Sequence, residues 1–254
     1  MIRSRNRARG WKASGGSAPA FAPTDIAGLQ LWLDANDAAT ITQASGAVSQ
    51  WNDKSGNTRH FTQATGANQP ITGTRTINGK NALDFDGTND ALVNASMFAL
   101  GNASSTTFCV AFTDTNTAQQ SLWAFGSSDD LAFIYDNTRK LYRNADVGAT
   151  PFRGESPNST AVDTLSHINF TRKNGATSYN MAHDGSPLLG LNGGVSAITS
   201  TSIVLGNQTA GSSFRAFNGC IAEFIVYDTD LSTANRNLVG NYLATKWGIT
   251  WTNF

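Results

Sequence analysis

Turn dipeptides punctuate this chain at short intervals. Asn78-Gly79, Asp86-Gly87, Asn174-Gly175 and Asp184-Gly185, preceded by Lys54-Ser-Gly-Asn57, supply the positive φ angles that tight hairpin turns require. Between and around them lie short runs rich in β-branched and aromatic residues, at 29–33, 83–85, 106–112, 121–125, 131–135, 165–172, 177–182, 202–205 and 220–227. Many short strands with recurrent turn signals predict a sandwich or barrel. The acids agree with this. Sixteen are Asp and two, Glu155 and Glu223, are Glu; Asp favours turns and caps, Glu helix interiors. At 254 residues, 14% charged, the chain suits one all-β domain or two small ones. No apolar run approaches the ~20 residues of a membrane helix, and Glu and Lys are too scarce for a coiled coil.

In 106–112, Phe108, Val110 and Phe112 share one face, with Cys109 and Ala111 on the other. In 220–227, strict alternation sets Cys220, Ala222, Phe224 and Val226 against Ile221, Glu223, Ile225 and Tyr227. Both faces are mostly apolar, so this strand is expected at the centre, covered on both sides. One helix is expected at Thr233–Trp247, with Leu238, Val239, Tyr242, Leu243 and Trp247 as its apolar stripe, Ser232 as N-cap and Gly248 as stop. Two cysteines, Cys109 and Cys220, are too few for a disulfide framework; one bridge and two buried thiols both stay open.

Residues 1–24 form a separate object. Arg3, Arg5, Arg7, Arg9 and Lys12 place five positive charges in twelve residues, with Trp11 as an apolar anchor, and a Gly/Ser/Pro linker follows. No apolar segment follows the arginines, so the arm does not read as a signal peptide. The remainder, 25–254, carries thirteen basic and eighteen acidic groups. A basic arm on an acidic body predicts an acidic partner.

The body resembles a known family. GLQLWLDAND (28–37), VSQWNDKSGN (48–57), NGKNALDFDGTNDAL (78–92), HDGSP (183–187), SIVLGNQ (202–208) and the block 217–249 that ends in Lys-Trp-Gly are similar to the concanavalin A-like lectin/glucanase jelly rolls of the laminin G-like type, found among bacteriophage structural proteins. The resemblance implies an antiparallel jelly-roll β sandwich with a short C-terminal helix and an extended N-terminal arm. It also implies a calcium site at the rim, for which Asp86, Asn89 and Asp90 are the best-spaced set and Asp34, Asp37 and Asp53 a looser one; capped turns with no cofactor are the alternative. The glycanase branch carries Glu-x-Asp-x-x-Glu on one strand, which this chain lacks.

Glycoside hydrolysis ordinarily takes two flanking carboxyl groups. Glu155 falls in a Pro/Gly loop and Glu223 alone in an apolar strand, leaving pairs such as Asp84/Asp86 or Asp129/Asp130. His60, His167 and His183 are not clustered in sequence, and no zinc spacing or nucleophile elbow occurs. These absences predict no catalytic residues. Sugar binding would use exposed aromatics beside polar groups; Arg139, Tyr142, Arg143 and Phe152 form the expected face. The resulting expectation is a non-enzymatic virion protein, of the capsid-decoration or head-fibre type. It would sit on the virion surface, tethered to viral capsid proteins by its arm, with surface glycans as further partners. It would be a homo-oligomer, as surface jelly rolls commonly are, with no membrane association. Two alternatives stand beside it: a free bacterial carbohydrate-binding or adhesion module, and a glycan-degrading enzyme.

Overall fold

The computed structural model describes residues 20–96, 103–114, 119–126, 131–135, 141–144, 167–174, 178–187 and 200–254. Within 131–135, 141–144, 172–174 and 178–179 it describes the backbone alone. The basic arm therefore lies outside the described residues, with Arg139, Phe152, Glu155, Asp129 and Asp130.

The described chain is all-β with one C-terminal helix. Its strands are β1 (Leu29–Asp34), β2 (Ile41–Ala44), β3 (Ala47–Trp51), β4 (Phe61–Thr62), β5 (Ile71–Ile77), β6 (Lys80–Asp86), β7 (Leu92–Asn94), β8 (Ser105–Thr113), β9 (Gln120–Phe125), β10 (Leu131–Tyr135), β11 (Leu141–Asn144), β12 (His167–Asn174), β13 (Ser178–His183), β14 (Ser186–Pro187), β15 (Ile203–Leu205) and β16 (Asn218–Tyr227). Helix α1 spans Thr233–Trp247. Hydrogen bonds link all sixteen strands into one sheet, in the order β11-β10-β9-β15-β7-β4-β3-β5-β6-β16-β8-β12-β13-β14, with β1 beside β16 and β2 beside β3. The expected division into two separate sheets is not seen in the hydrogen bonding. The turns are where the dipeptides place them: Asn78 and Gly79 (φ 50° and 71°) join β5 to β6, and Asp184 and Gly185 (φ 53° and 80°) join β13 to β14.

β16 is central, with β8 on one edge and β6 and β1 end to end on the other. Its residues from Gly219 to Tyr227 are all buried. Its register against β8 slips between Ile221, opposite Ala111, and Glu223, opposite Val110. That bulge shifts the alternation by one residue and corrects the expected faces. Ile221, Phe224 and Val226 join Cys109, Ala111, Trp51, Phe61 and Trp123 in one core cluster. Cys220, Ala222, Ile225 and Tyr227 join Phe108, Val110, Val239, Leu243 and Trp247 in the other. Cys109 and Cys220 thus sit in different clusters as free, buried thiols. Burial pushes Cys109 far up and Cys220 up to about 12, which disfavours the thiolate at both positions.

Helix α1 is capped as expected: Ser232 Oγ accepts from Asn235 N (3.3 Å), and Gly248 takes the left-handed conformation (φ 68°). Val239, Leu243 and Trp247 face the core, whereas Leu238 is 48% exposed and leaves the expected stripe. Gly240 is where Trp251 crosses the helix; a Cβ there would lie 2.0 Å from the indole. Phe21 stacks edge-on against Tyr242 at 5.8 Å, and Tyr227 donates its hydroxyl proton to Pro23 O (3.0 Å), tying the start of the described chain to the helix layer. No helix among the described residues is long and apolar enough to cross a membrane.

Candidate functional site

Glu223 is the first carboxylate to place. The β16 bulge turns it toward α1, where it has no exposure. Its Oε1 accepts from Trp32 Nε1 (2.7 Å) and Tyr242 OH (2.8 Å), and its Oε2 from Lys246 Nζ (2.8 Å) and Trp247 Nε1 (2.6 Å). Lys246 also meets Asp34 (2.8 Å), and Lys54 bridges Asp34 (3.1 Å) and Asp37 (2.8 Å). Burial raises the Glu223 carboxyl above the usual glutamate range, and the Lys246 ammonium pulls it back. Four donors close this carboxylate off from any substrate. It anchors the helix to the sheet.

Among the described residues, Asp53, Asp84, Asp86, Asp90 and Asp114 serve turns and ion pairs. Asp53 accepts from the backbone N–H groups of Trp32, Ser55 and Arg59. Arg75 lies between Asp84 (2.8 Å) and Asp114. Asp86 Oδ1 accepts from Thr88 N (2.7 Å) and Asn89 N (3.4 Å), and Asp90 Oδ2 from Asp86 N (3.0 Å). Burial pushes Asp90 up to about 6. Asp86 Oδ1 and Asp90 Oδ2 thus cap the turn through backbone donors, the alternative arrangement to a calcium site.

Sequence separation hid two arrangements. The first corrects the view of the histidines as scattered. The β12–β13 hairpin stacks His167 on His183, ring centroids 3.8 Å apart, beside Asp184. The second is a rim at the start of β16 and β9. Phe214 is 58% exposed, and Phe214 and Leu238 are the exposed large apolar side chains among the described residues. The Arg215 guanidinium lies 4.8 Å over the Phe214 ring. It is fixed there by Nε to Gln119 Oε1 (2.9 Å) and Nη1 to Gln208 Oε1 (2.6 Å). Arg215 sits at φ 58°, in the left-handed region, a strained conformation for such a side chain that costs about 1–2 kcal/mol. The surrounding loop enforces it. Asn207, fully buried, donates to Ser212 O (2.6 Å), and Ser121 N donates to Arg215 O (2.8 Å). An aromatic residue in the polar stretch Gly211-Ser-Ser-Phe-Arg215 was the available signal.

Of the expected sugar face, Tyr142 and Arg143 lie on β11, opposite Ile134 and Phe133 of β10. Arg139 and Phe152 lie outside the described residues, as do Arg3, Arg5, Arg7, Arg9, Trp11 and Lys12. Trp51, Trp123 and Trp247 are core residues, buried on one cluster or the other.

No family model and no curated protein matches the chain. Solved structures do. Trypanosoma rangeli sialidase, in complex with a difluoro-KDN compound, is 18% identical with a TM-score of 0.61, over 89% of this chain and 34% of that one. The binding domain of Paraclostridial Mosquitocidal Protein 1 is 11% identical with a TM-score of 0.62, over 90% of this chain and 56% of that one. Domain 4 of a GH43 extracellular arabinanase from Geobacillus stearothermophilus, in complex with arabinotriose, is 10% identical with a TM-score of 0.52, over 84% of this chain and 97% of that one. At these identities the likeness is one of fold, and the chain spans about a third of the sialidase's length.

These matches overturn the resemblance to phage jelly-roll proteins and, with it, the virion role, the capsid partner and the non-enzymatic reading. Among the structures matched are a sialidase and one domain of an arabinanase. The physical reason is plain. Of the stretches that carried the resemblance, 28–37 and 217–249 build the Glu223 anchor and 48–57 supplies Lys54, which pairs with Asp34 beside it, so they specify internal packing. The lack of Glu-x-Asp-x-x-Glu excludes one single-strand arrangement of carboxylates, not catalysis.

Proposed function

We propose that this chain is the glycan-recognising unit of a carbohydrate-active enzyme, folded as a jelly-roll sandwich, and that the sugar rests on the Phe214–Arg215 rim. One observation carries the reading: an exposed aromatic ring whose neighbouring guanidinium is fixed by two side-chain amides. A sugar ring presents an apolar C–H face bordered by hydroxyls, and it is matched by an aromatic surface beside polar donors and acceptors held in place. Backbone strain at Arg215 points the same way, because such strain persists where the surroundings enforce it and collects at binding sites.

The sandwich reading is supported by Trp123 of β9 and Phe224 of β16. They are far apart in the strand order yet meet edge to face at 5.6 Å. That is the contact of a sheet doubled over a core. The recognition role is supported by the arabinanase match, which covers 97% of a discrete domain bound to arabinotriose. Tyr142 and Arg143 are a proposed extension of the surface. Tyr142 pairs with Ile134, and Ile134 with Ser121, whose N–H holds the Arg215 carbonyl.

The test is a glycan array carrying arabinan oligosaccharides and sialylated glycans, with sugar release assayed in parallel. Binding by the intact chain that Phe214→Ala abolishes is the expected result. Silence across the array, or binding indifferent to Phe214, overturns the assignment. Sugar release by the chain alone would place catalysis within it and direct the search to its aspartates.

A further inference from the structure

We propose that His167, His183 and Asp184 form a binding site for a zinc-class divalent cation. The three side chains come from the ends of one hairpin. His167 opens β12, His183 closes β13, and Asp184 is the first residue of the turn that follows. Register places His183 opposite Asn169, two residues from His167 on the same face of β12. The two imidazoles therefore stack, with centroids 3.8 Å apart and planes tilted by 36°. Asp184 Oδ2 lies 2.5 Å from His167 Nδ1 and 3.8 Å from His183 Nδ1. One donor atom from each residue falls within 4.8 Å of the other two.

The carboxylate is positioned before any ion arrives. Its other oxygen, Oδ1, accepts from Ile168 N (2.7 Å); Asp184 N donates to Ile168 O (3.0 Å), and Asp184 O accepts from Thr252 N (2.8 Å). Held at three points, Asp184 presents Oδ2 to the imidazoles, the outer support that metal-binding carboxylates ordinarily have. The site is reachable, since the His167, His183 and Asp184 side chains keep 13%, 20% and 25% exposure.

The ligand chemistry selects the cation. Calcium and magnesium take oxygen ligands, whereas two imidazoles and one carboxylate suit zinc and its neighbours. Zinc at about 2.0–2.1 Å from its ligands holds them roughly 3.4 Å apart, and a three-ligand site leaves a fourth position for water. The His183–Asp184 separation of 3.8 Å is close to that spacing. The His167–Asp184 pair opens as the cation replaces the proton that joins them. Because Asp184 also holds Thr252, cation binding would clamp the C-terminal segment onto the hairpin.

The test uses the full chain stripped with a chelator, then titrated with cobalt(II) as a coloured surrogate and with zinc as competitor. The expected result is one equivalent of cobalt giving d–d absorption, bleached by zinc. His167→Gln and His183→Gln should each weaken binding at least tenfold, and His60→Gln should leave it unchanged. In the unsubstituted chain, zinc should shift the imidazole resonances of two of the three histidines. No d–d absorption, equal cobalt binding by the His167→Gln/His183→Gln chain, or zinc shifts confined to the third histidine would overturn the site.

Discussion

The Trp247 indole nitrogen lies 2.6 Å from Glu223 Oε2, joining the last turn of α1 to the middle of β16. With Trp32, Tyr242 and Lys246 on the same carboxylate, the contact fixes the helix to the sheet. A buried carboxylate with this many donors is a structural device, and removing one partner leaves the others unsatisfied.

Glu223→Ala is therefore expected to destabilise the fold by about 3–5 kcal/mol, the range for breaking a buried ion pair from one side. Denaturant unfolding measures this. Normal stability together with a specific loss of sugar binding would show that the network belongs to the site instead.

Asp90 makes stability depend on pH in a definite direction. Burial raises its folded value to about 6, above the ordinary aspartate value of 3.8. An acid raised on folding favours the folded state while protonated, so that contribution is lost as pH rises from about 4 through 6. Asp90→Asn keeps an acceptor for Asp86 N without the charge. Its stability relative to the parent chain should rise across that window, by about 1–2 kcal/mol at pH 8 after allowing for partial solvation. Paired urea melts from pH 4.5 to 8 check the sign.

Gly240→Ala reverses the usual helix preference. In an open helix the change gains about 1 kcal/mol. Here the new Cβ would meet the Trp251 ring at 2.0 Å, so the substitution should destabilise by about 1–3 kcal/mol, the range for overpacking. A stabilised variant would mean that Trp251 does not lie across the helix.

Arg215→Gly separates strain from function. Glycine accepts the positive φ at no steric cost, which offsets the hydrogen bonds lost to Gln119 and Gln208. Stability should change by less than about 1 kcal/mol, while sugar binding falls at least tenfold. Thermal melts beside binding titrations test both halves.

What the sequence revealed was local. The hairpin dipeptides at Asn78 and Asp184 and the caps at Ser232 and Gly248 act through neighbouring backbone, and the structure has them in place. What it concealed depends on partners distant in the chain. The bulge before Glu223 is set by pairing with β8 and reverses the faces that strict alternation assigns. The histidine stack depends on the register of β12 against β13. Phe214 reads as an ordinary loop aromatic until Gln119, 96 residues from Arg215, is brought to its guanidinium. The family-like motifs misdirected the functional reading for the same reason, since they encode the Glu223 anchor.

The most direct measurement is affinity electrophoresis of the intact chain, beside Phe214→Ala, through gels containing the glycans that score on the array. The parent chain should be retarded and a folded Phe214→Ala protein should migrate freely. Equal migration of the two, retarded or not, would contradict it.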